Sequence, residues 1–210
     1  MQDFSLARRT MVDNQLRPQG VTNRVVLTAM GKLEREGFVP EASRAFAYFD
    51  RPVRIGDGRY LMPPAALGRL LTEAEPQPGQ RALVVGSGTG YSAAVLAEAG
   101  LEVVALESDP ALAGQARAAG VETVVGALAD GWSKGAPYDL ILLEGAVEEV
   151  PAALTKQLAP GGRIAGAIVD RGVARLSVGT IASGSIGWRS LADSDVETLP
   201  GFERPRAFTF

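Results

Sequence analysis

LVVGSGTGYSAAVLAEAG, residues 83–100, is the stretch that decides the fold of this chain. A short apolar run ends in glycines at alternating positions, Gly86, Gly88 and Gly90, and an alanine-rich segment follows. This order predicts a strand, a tight glycine turn and a helix whose first N–H groups face a ligand. Only glycine permits both the dihedral angles of such a turn and the close approach of a ligand to the backbone. The stretch therefore predicts a nucleotide-type cradle.

The spacing of the glycines separates the classes of cofactor. A dinucleotide site needs G-x-G-x-x-G, but the third glycine falls one position early and Tyr91 stands where Gly or Ala belongs, which disfavours an NAD-linked oxidoreductase. A P-loop is excluded because no Gly-Lys-Ser/Thr follows. G-x-G-x-G is typical of methyltransferases that use S-adenosylmethionine (SAM). The candidate cofactor residues of the turn are Gly86, Ser87, Gly88, Thr89, Gly90 and Tyr91.

A carboxylate downstream supports the same site. Glu107 ends a second apolar run, about 20 residues beyond the turn, where an acid can accept both hydroxyls of a ribose. Ser108 follows it and is a further candidate. The plainer alternative is a solvated acid at a strand end. We favour the ribose ligand.

Composition excludes several other functions. The chain has 210 residues, 46% hydrophobic and 21% charged, with a net charge of -3 and no basic run that would favour nucleic acid. It has neither cysteine nor histidine. Disulfides, the commonest zinc ligands and a histidine base are therefore missing, so we expect no metal and no acyl-transfer triad.

The two parts of the chain differ in pattern. Residues 1–80 predict a helical and substrate-loop extension, with helices over 4–16, 22–36 and 65–75 and irregular structure with short strands over 38–64. Residues 81–210 alternate strands (81–85, 102–106, 122–125, 138–143, 162–169) with helices (90–99, 110–118, 150–158) and end in a strand pair. This predicts an α/β fold, a doubly wound, mostly parallel sheet with an antiparallel end.

The location of the protein is predicted from two further features of the sequence. The first residues are charged and polar rather than signal-like, and no apolar run approaches the roughly 20 residues of a membrane span. We expect a cytoplasmic protein without a membrane partner.

Several stretches together resemble one family, the protein-L-isoaspartate O-methyltransferases. They are, in chain order, MVDNQLRPQGVTNRVVLTAM, EREGFVP, AYFDRPVRIGDGR, the glycine turn with Tyr91, Glu107, Pro137-Tyr138-Asp139 and VPAALTKQLAPGGRI. Their shared order and spacing is more specific than any one of them.

The resemblance implies a class I SAM-dependent methyltransferase with a seven-stranded, Rossmann-like sheet whose last strand is antiparallel. It implies methyl transfer to a carboxylate of isoaspartyl or D-aspartyl residues in a damaged protein or peptide, with S-adenosylhomocysteine as product. We expect a monomer or a weak homo-oligomer. The substrate-loop candidates, none with an assigned catalytic role, are Arg59, Tyr60, Leu61, Met62 and Pro64.

The sequence departs from the family pattern at three places. Met62 stands where the family has a serine beside the reacting carboxylate, and a thioether cannot donate a hydrogen bond. Val84 replaces an acid that holds the methionine amino group, for which Glu144 is a candidate substitute. Ala127 falls at the family's adenine-binding aspartate, so that backbone atoms of Ala127 and Leu128 would recognise the ring.

These departures leave alternatives open. The leading hypothesis is isoaspartyl repair. The others are a relative with a different acceptor and a catalytically idle module that keeps the fold and binds SAM.

Overall fold

The computed structural model describes residues 3–182 and 184–203. Its α-helices are α1 (Phe4–Met11), α2 (Arg24–Lys32), α3 (Pro64–Ala74), α4 (Tyr91–Glu98), α5 (Pro110–Ala118) and α6 (Ala152–Thr155). Its strands are β1 (Val53–Gly56), β2 (Arg59–Leu61), β3 (Arg81–Val85), β4 (Glu102–Glu107), β5 (Thr123–Val125), β6 (Tyr138–Val147), β7 (Leu158–Asp170), β8 (Val173–Ala182) and β9 (Ser185–Asp193).

Seven of these strands form one sheet in the order β5-β4-β3-β6-β7-β8-β9. The first five are mutually parallel, whereas β8 is antiparallel to β7 and β9 is antiparallel to β8. Strands β4 and β5 extend the sheet on one side of β3, and β6 and β7 extend it on the other, so the strand order switches between β3 and β6. Because these strands are parallel, the carboxyl ends of β3, β4 and β6 meet at one edge. Ligands of open α/β sheets bind at such a switch point.

The sheet is covered on both faces. Alternate residues of β3 divide between two cores: Ala82 and Val84 pack with the N-terminal helices, and Leu83 and Val85 pack on the opposite face. Side chains of a strand point to alternating faces, so a strand that is apolar throughout needs cover on both. The α/β class and the antiparallel end of the sheet are confirmed.

The helix expected over 4–16 is helical over that whole range, as α1 followed by a turn of π-helix at Val12–Leu16. Two other predicted helices end earlier than the sequence pattern indicated, and the one expected over 22–36 ends at Lys32. The helix expected over 150–158 is wrong in length, since α6 covers only Ala152–Thr155. Its continuation is replaced by β7, which begins at Leu158 beside Tyr138 and carries an irregular register at Pro160-Gly161-Gly162.

The N-terminal part forms one core with the sheet. Met11, Leu67 and Leu70 are fully buried in the same cluster as Val84 and Ala165 of the sheet. The hairpin β1–β2 pairs antiparallel, with Val53 opposite Leu61. The boundary at residue 80 stays a prediction.

Candidate cofactor site

The glycine turn has the backbone that the sequence predicted. Gly86, Gly88 and Gly90 adopt φ values of 73°, 56° and 95°, in the region that favours glycine. The turn leads directly into α4, which begins at Tyr91. At Gly90 an added Cβ would lie 3.1 Å from Ala116 Cβ, so this glycine also lets α5 pack closely.

Glu107 ties this turn to the end of the neighbouring strand. Its carboxylate is fully buried, and Oε2 accepts a hydrogen bond from the Gly88 N–H at 2.7 Å. Oε1 accepts from the backbone N–H groups of Ser108 at 2.7 Å and Asp109 at 3.0 Å. The alternative of a solvated strand-end acid is therefore wrong, because the carboxylate is buried and hydrogen-bonded to the glycine turn.

Arg59 of β2 is the cationic partner of Glu107. Its guanidinium is 6% exposed, forms an ion pair with Glu107 Oε1 and donates from Nη2 to the Gly86 carbonyl at 2.7 Å. A buried charge pair of this kind needs such extra hydrogen bonds to offset its desolvation. Arg59, a substrate-loop candidate from sequence, thus lies against the cofactor candidates.

Two apolar side chains also lie on the turn. A Cβ added at Gly88 would be 2.4 Å from Ile55 Cδ1, and one at Gly86 would be 2.6 Å from Leu199 Cδ1. Ile55 belongs to β1, and Leu199 to the segment 196–202 that follows β9 and hydrogen-bonds to Ala146. These contacts cover the face of the turn.

Glu144 lies at the same sheet edge on β6. Val84 is paired with Leu142 in the parallel register, so Glu144 is level with Gly86. The side chain is 4% exposed, and its Oε2 makes no hydrogen bond within the described part of the chain. Burial raises the pKa of Glu144, although the nearby Ser92 hydroxyl, the Met62 N–H and the charge of Arg35 oppose the rise.

Met62 is held by two buried charged side chains. Arg35 Nη2 donates to the Met62 carbonyl at 2.7 Å, and the Met62 N–H lies 3.4 Å from Glu144 Oε1. The Met62 side chain is 3% exposed and belongs to the main core. One small cavity is lined by Arg59, Met62, Glu144 and Leu199 together.

Several other candidates from the sequence make their side-chain contacts with other parts of the fold. Tyr91 is fully buried and meets Phe38 edge-on at 5.4 Å between centroids, and the Thr89 hydroxyl donates to the Phe38 carbonyl. Val84 points into the core. Ala127 is exposed and Leu128 is buried, one and two residues after Gly126, whose N–H donates to the Glu107 carbonyl.

The remaining loop candidates support the hairpin and helix. Leu61 is fully buried, Tyr60 is half-buried, and Pro64 is the first residue of α3, where its missing N–H costs no helical hydrogen bond.

Sequence reasoning missed Arg35. It is fully buried, donates to the carbonyls of Ala47 and Met62, and lies 4.6 Å from the centre of the Tyr91 ring. Burial lowers the pKa of this guanidinium. Nothing in its local pattern marks it, because a basic residue just past an amphipathic helix normally faces solvent.

The described residues contain no group of three or more acidic side chains placed to hold a metal ion. None of the helices in that part of the chain has the length and apolar character to span a bilayer.

The sheet order, the glycine turn and the carboxylate bonded to it define a methyltransferase of the class I, SAM-dependent fold. Within that class, residues 7–178 match the family model for protein-L-isoaspartate(D-aspartate) O-methyltransferase. The chain belongs to this family.

Known proteins agree with this assignment. The chain is 42% identical over 164 residues to a protein-L-isoaspartate O-methyltransferase of Methylorubrum populi, covering 75% of this chain and 77% of that one. A solved protein-L-isoaspartate O-methyltransferase superposes with a TM-score of 0.80 at 23% identity over 92% of this chain, and the chain spans 66% of its length.

A second solved structure resembles this chain to a similar degree. It is a protein-L-isoaspartate O-methyltransferase from Plasmodium falciparum in complex with S-adenosyl-L-homocysteine, with a TM-score of 0.79 and 21% identity over 91% of this chain and 97% of that one. At these identities the two solved structures support the fold.

Proposed function

We propose that this protein transfers the methyl group of SAM to a carboxylate of isoaspartyl or D-aspartyl residues in damaged proteins. The observation that carries the proposal is the hydrogen bond from Gly88 to Glu107, which joins the glycine turn to a buried carboxylate at the switch point of the sheet. Family membership and the name of the Methylorubrum relative point to the same reaction.

In this proposal each end of the cofactor has a partner. Glu107 accepts the ribose hydroxyls, the turn from Gly86 to Gly90 lies against the sugar and methionine portion, and backbone atoms of Ala127 and Leu128 bound the adenine. Glu144 takes the methionine ammonium, because Val84 carries no charge and Glu144 has a buried oxygen that lacks a partner among the described residues. A buried ammonium needs such a counter-charge.

Methyl transfer from SAM to a carboxylate needs no catalytic acid or base from the protein. SAM supplies a methyl group on a sulfonium. The acceptor carboxylate forms the new O–C bond as the S–C bond breaks, and the electron pair of that bond stays on sulfur. A carboxylate is ionised at neutral pH and needs no base, so alignment in a closed pocket supplies most of the acceleration. A chain without histidine can perform this reaction.

Alignment of the acceptor falls to the backbone around Met62. Arg35 and Glu144 fix its carbonyl and its N–H from opposite sides. Loss of the family's serine removes one hydroxyl donor, and by analogy with oxyanion donors this costs about 10²-fold in rate. We therefore expect slower turnover than in a relative that keeps the serine.

The test is methyl transfer from labelled SAM to a synthetic isoaspartyl peptide, with the same peptide carrying ordinary aspartate as control. We expect base-labile methyl ester on the isoaspartyl peptide alone. SAM binding without transfer would favour the idle module, and transfer only to other acceptors would reject isoaspartyl repair. Absence of SAM binding would reject both.

A further inference from the structure

The cofactor face of the glycine turn is already in contact with protein. Ile55 lies on Gly88, Leu199 lies on Gly86, and Arg59 bonds to both Glu107 and the Gly86 carbonyl. These three side chains come from the hairpin β1–β2 and the segment 196–202, which we call the cover. Because a ligand must approach the glycine backbone closely, the cover and a cofactor cannot occupy this face together.

Glu107 has little hydrogen-bonding capacity left for a ribose. A carboxylate offers roughly four lone-pair positions. Oε1 already accepts from Arg59, Ser108 and Asp109, and Oε2 accepts from Gly88. Three of the donors are backbone N–H groups of the turn and strand end, and the Ser108 hydroxyl donates a longer hydrogen bond to Oε1, at 3.3 Å. Arg59 is the charged donor and the one that comes from another element, so movement of the hairpin β1–β2 removes it.

We propose that Arg59 is a latch that competes with the cofactor ribose for Glu107 and holds the cover closed on the glycine turn. Binding of the nucleoside breaks the Arg59–Glu107 pair and lifts the hairpin. The latch rests on the proposed role of Glu107 in holding the ribose. It makes the apparent cofactor affinity depend on the fraction of molecules in which the cover is open.

Removal of the latch should tighten binding. If the open form is about one-tenth of the population, opening it fully lowers the apparent Kd about tenfold. We would titrate S-adenosylhomocysteine and adenosine by calorimetry into the wild type, Arg59→Gln and Arg59→Lys. We expect Arg59→Gln to bind both ligands about tenfold more tightly, and Arg59→Lys, which keeps the charge but not the two-armed contact, to lie between.

Arg54→Gln is the matched control. Arg54 lies on the same hairpin, but its side chain is exposed and pairs with Asp57. We expect its affinities to equal those of the wild type. Thermal unfolding of every variant checks that it is folded, and Arg59→Lys keeps the test available if Arg59→Gln does not fold.

Adenosine separates the latch from another role for Arg59. It has the ribose but lacks the methionine carboxylate, to which a guanidinium is an ordinary partner. Weaker binding of S-adenosylhomocysteine with unchanged adenosine binding would show that Arg59 holds that carboxylate and would overturn the latch. Unchanged binding of both ligands by the folded Arg59 variants would overturn it as well.

Glu107→Gln distinguishes failure of the latch from failure of the site. If the wild type binds S-adenosylhomocysteine and Glu107→Gln binds it much more weakly, the ribose assignment stands and the Arg59 result judges the latch alone. If Glu107→Gln binds as the wild type does, the proposed ribose role falls and the latch falls with it.

Discussion

Glu144 is the residue whose proposed role rests most on its surroundings. Its carboxyl group lies level with Gly86, faces the cavity beside Arg59 and has one oxygen without a hydrogen bond among the described residues. The acid that the family uses for the ammonium is replaced by Val84, which points into the core. The proposal therefore places the counter-charge for the ammonium on β6 rather than on β3.

Glu144→Gln should weaken binding of S-adenosylhomocysteine and leave adenosine unchanged, because only the former carries an ammonium. We expect a loss of about tenfold, near 1.4 kcal/mol, by calorimetry. Glu102→Gln is the control, because Glu102 is an exposed acid at the start of β4, far from the carboxyl ends of the strands. Equal losses for both ligands would contradict the ammonium role.

The raised pKa of Glu144 adds a pH signature to the same measurement. Binding of a cation favours the ionised carboxylate, so wild-type affinity should rise with pH through the pKa of Glu144, and Glu144→Gln should lack this rise. The free energy of unfolding should change in the opposite direction with pH. Once the pH exceeds the ordinary pKa of a glutamate, Glu144 loses its proton in the unfolded state but keeps it in the folded state. The contribution of Glu144 to stability therefore falls as the pH rises from that ordinary pKa towards the raised pKa of the folded protein.

Single residues were predictable where the chemistry leaves a local signal. The glycines and Glu107 follow from spacing along the chain, since a strand, a turn and an acid at the next strand end are local features. Arg59 and Arg35 find their partners across 48 and 27 residues of sequence, at Glu107 and Met62. No pattern on either side of such a pair specifies it.

Two glycines within helices differ in the space that surrounds them. Gly68 in α3 is buried, and an added Cβ would lie 2.8 Å from Val21 Cγ2. Gly114 in α5 is exposed and has nothing within 4 Å of that position. Gly68 lets α3 pack closely against Val21, in the segment that precedes α2. Gly114 makes no such contact, so its effect is to lower the helix propensity of α5.

Gly68→Ala and Gly114→Ala should therefore change stability with opposite signs. We expect Gly114→Ala to stabilise by about 0.5–1 kcal/mol through helix propensity. Gly68→Ala gains the same propensity but overpacks against a branched, buried side chain, at a cost of about 1–3 kcal/mol. Urea unfolding measures the free energy of unfolding of both variants. An increase for Gly68→Ala would contradict the prediction, because it would show that the Val21 side chain shifts at little cost.

Elements were predictable where burial repeats along the chain. The strands from β3 to β6 and the helix α5 follow from apolar runs. The structure adds that the Asp109 side chain caps α5 by accepting from the N–H groups of Ala111 and Leu112. The end of the helix expected over 150–158 was not predictable. Whether the chain there continues as helix or joins the sheet depends on the free edge of β6, which local periodicity does not describe.

At the scale of the whole molecule, the site depends on parts that are distant in sequence. The hairpin β1–β2 comes from the N-terminal part, the turn and Glu107 from the middle, and Leu199 from the segment after the last strand. If the proposed latch is right, this arrangement couples cofactor access to the packing of the hairpin β1–β2 and of the segment 196–202. The expectations of a cytoplasmic protein and of a monomer or weak homo-oligomer stay predictions.

In the proposed complex the cofactor lies on the glycine turn with its ribose on Glu107. A crystal structure of the protein with S-adenosylhomocysteine tests it most directly. We predict both ribose hydroxyls within hydrogen-bond distance of the Glu107 carboxylate, with Arg59 withdrawn from it and Ile55 and Leu199 moved off the turn. A nucleoside bound elsewhere, or bound with the Arg59–Glu107 pair intact, would contradict the account.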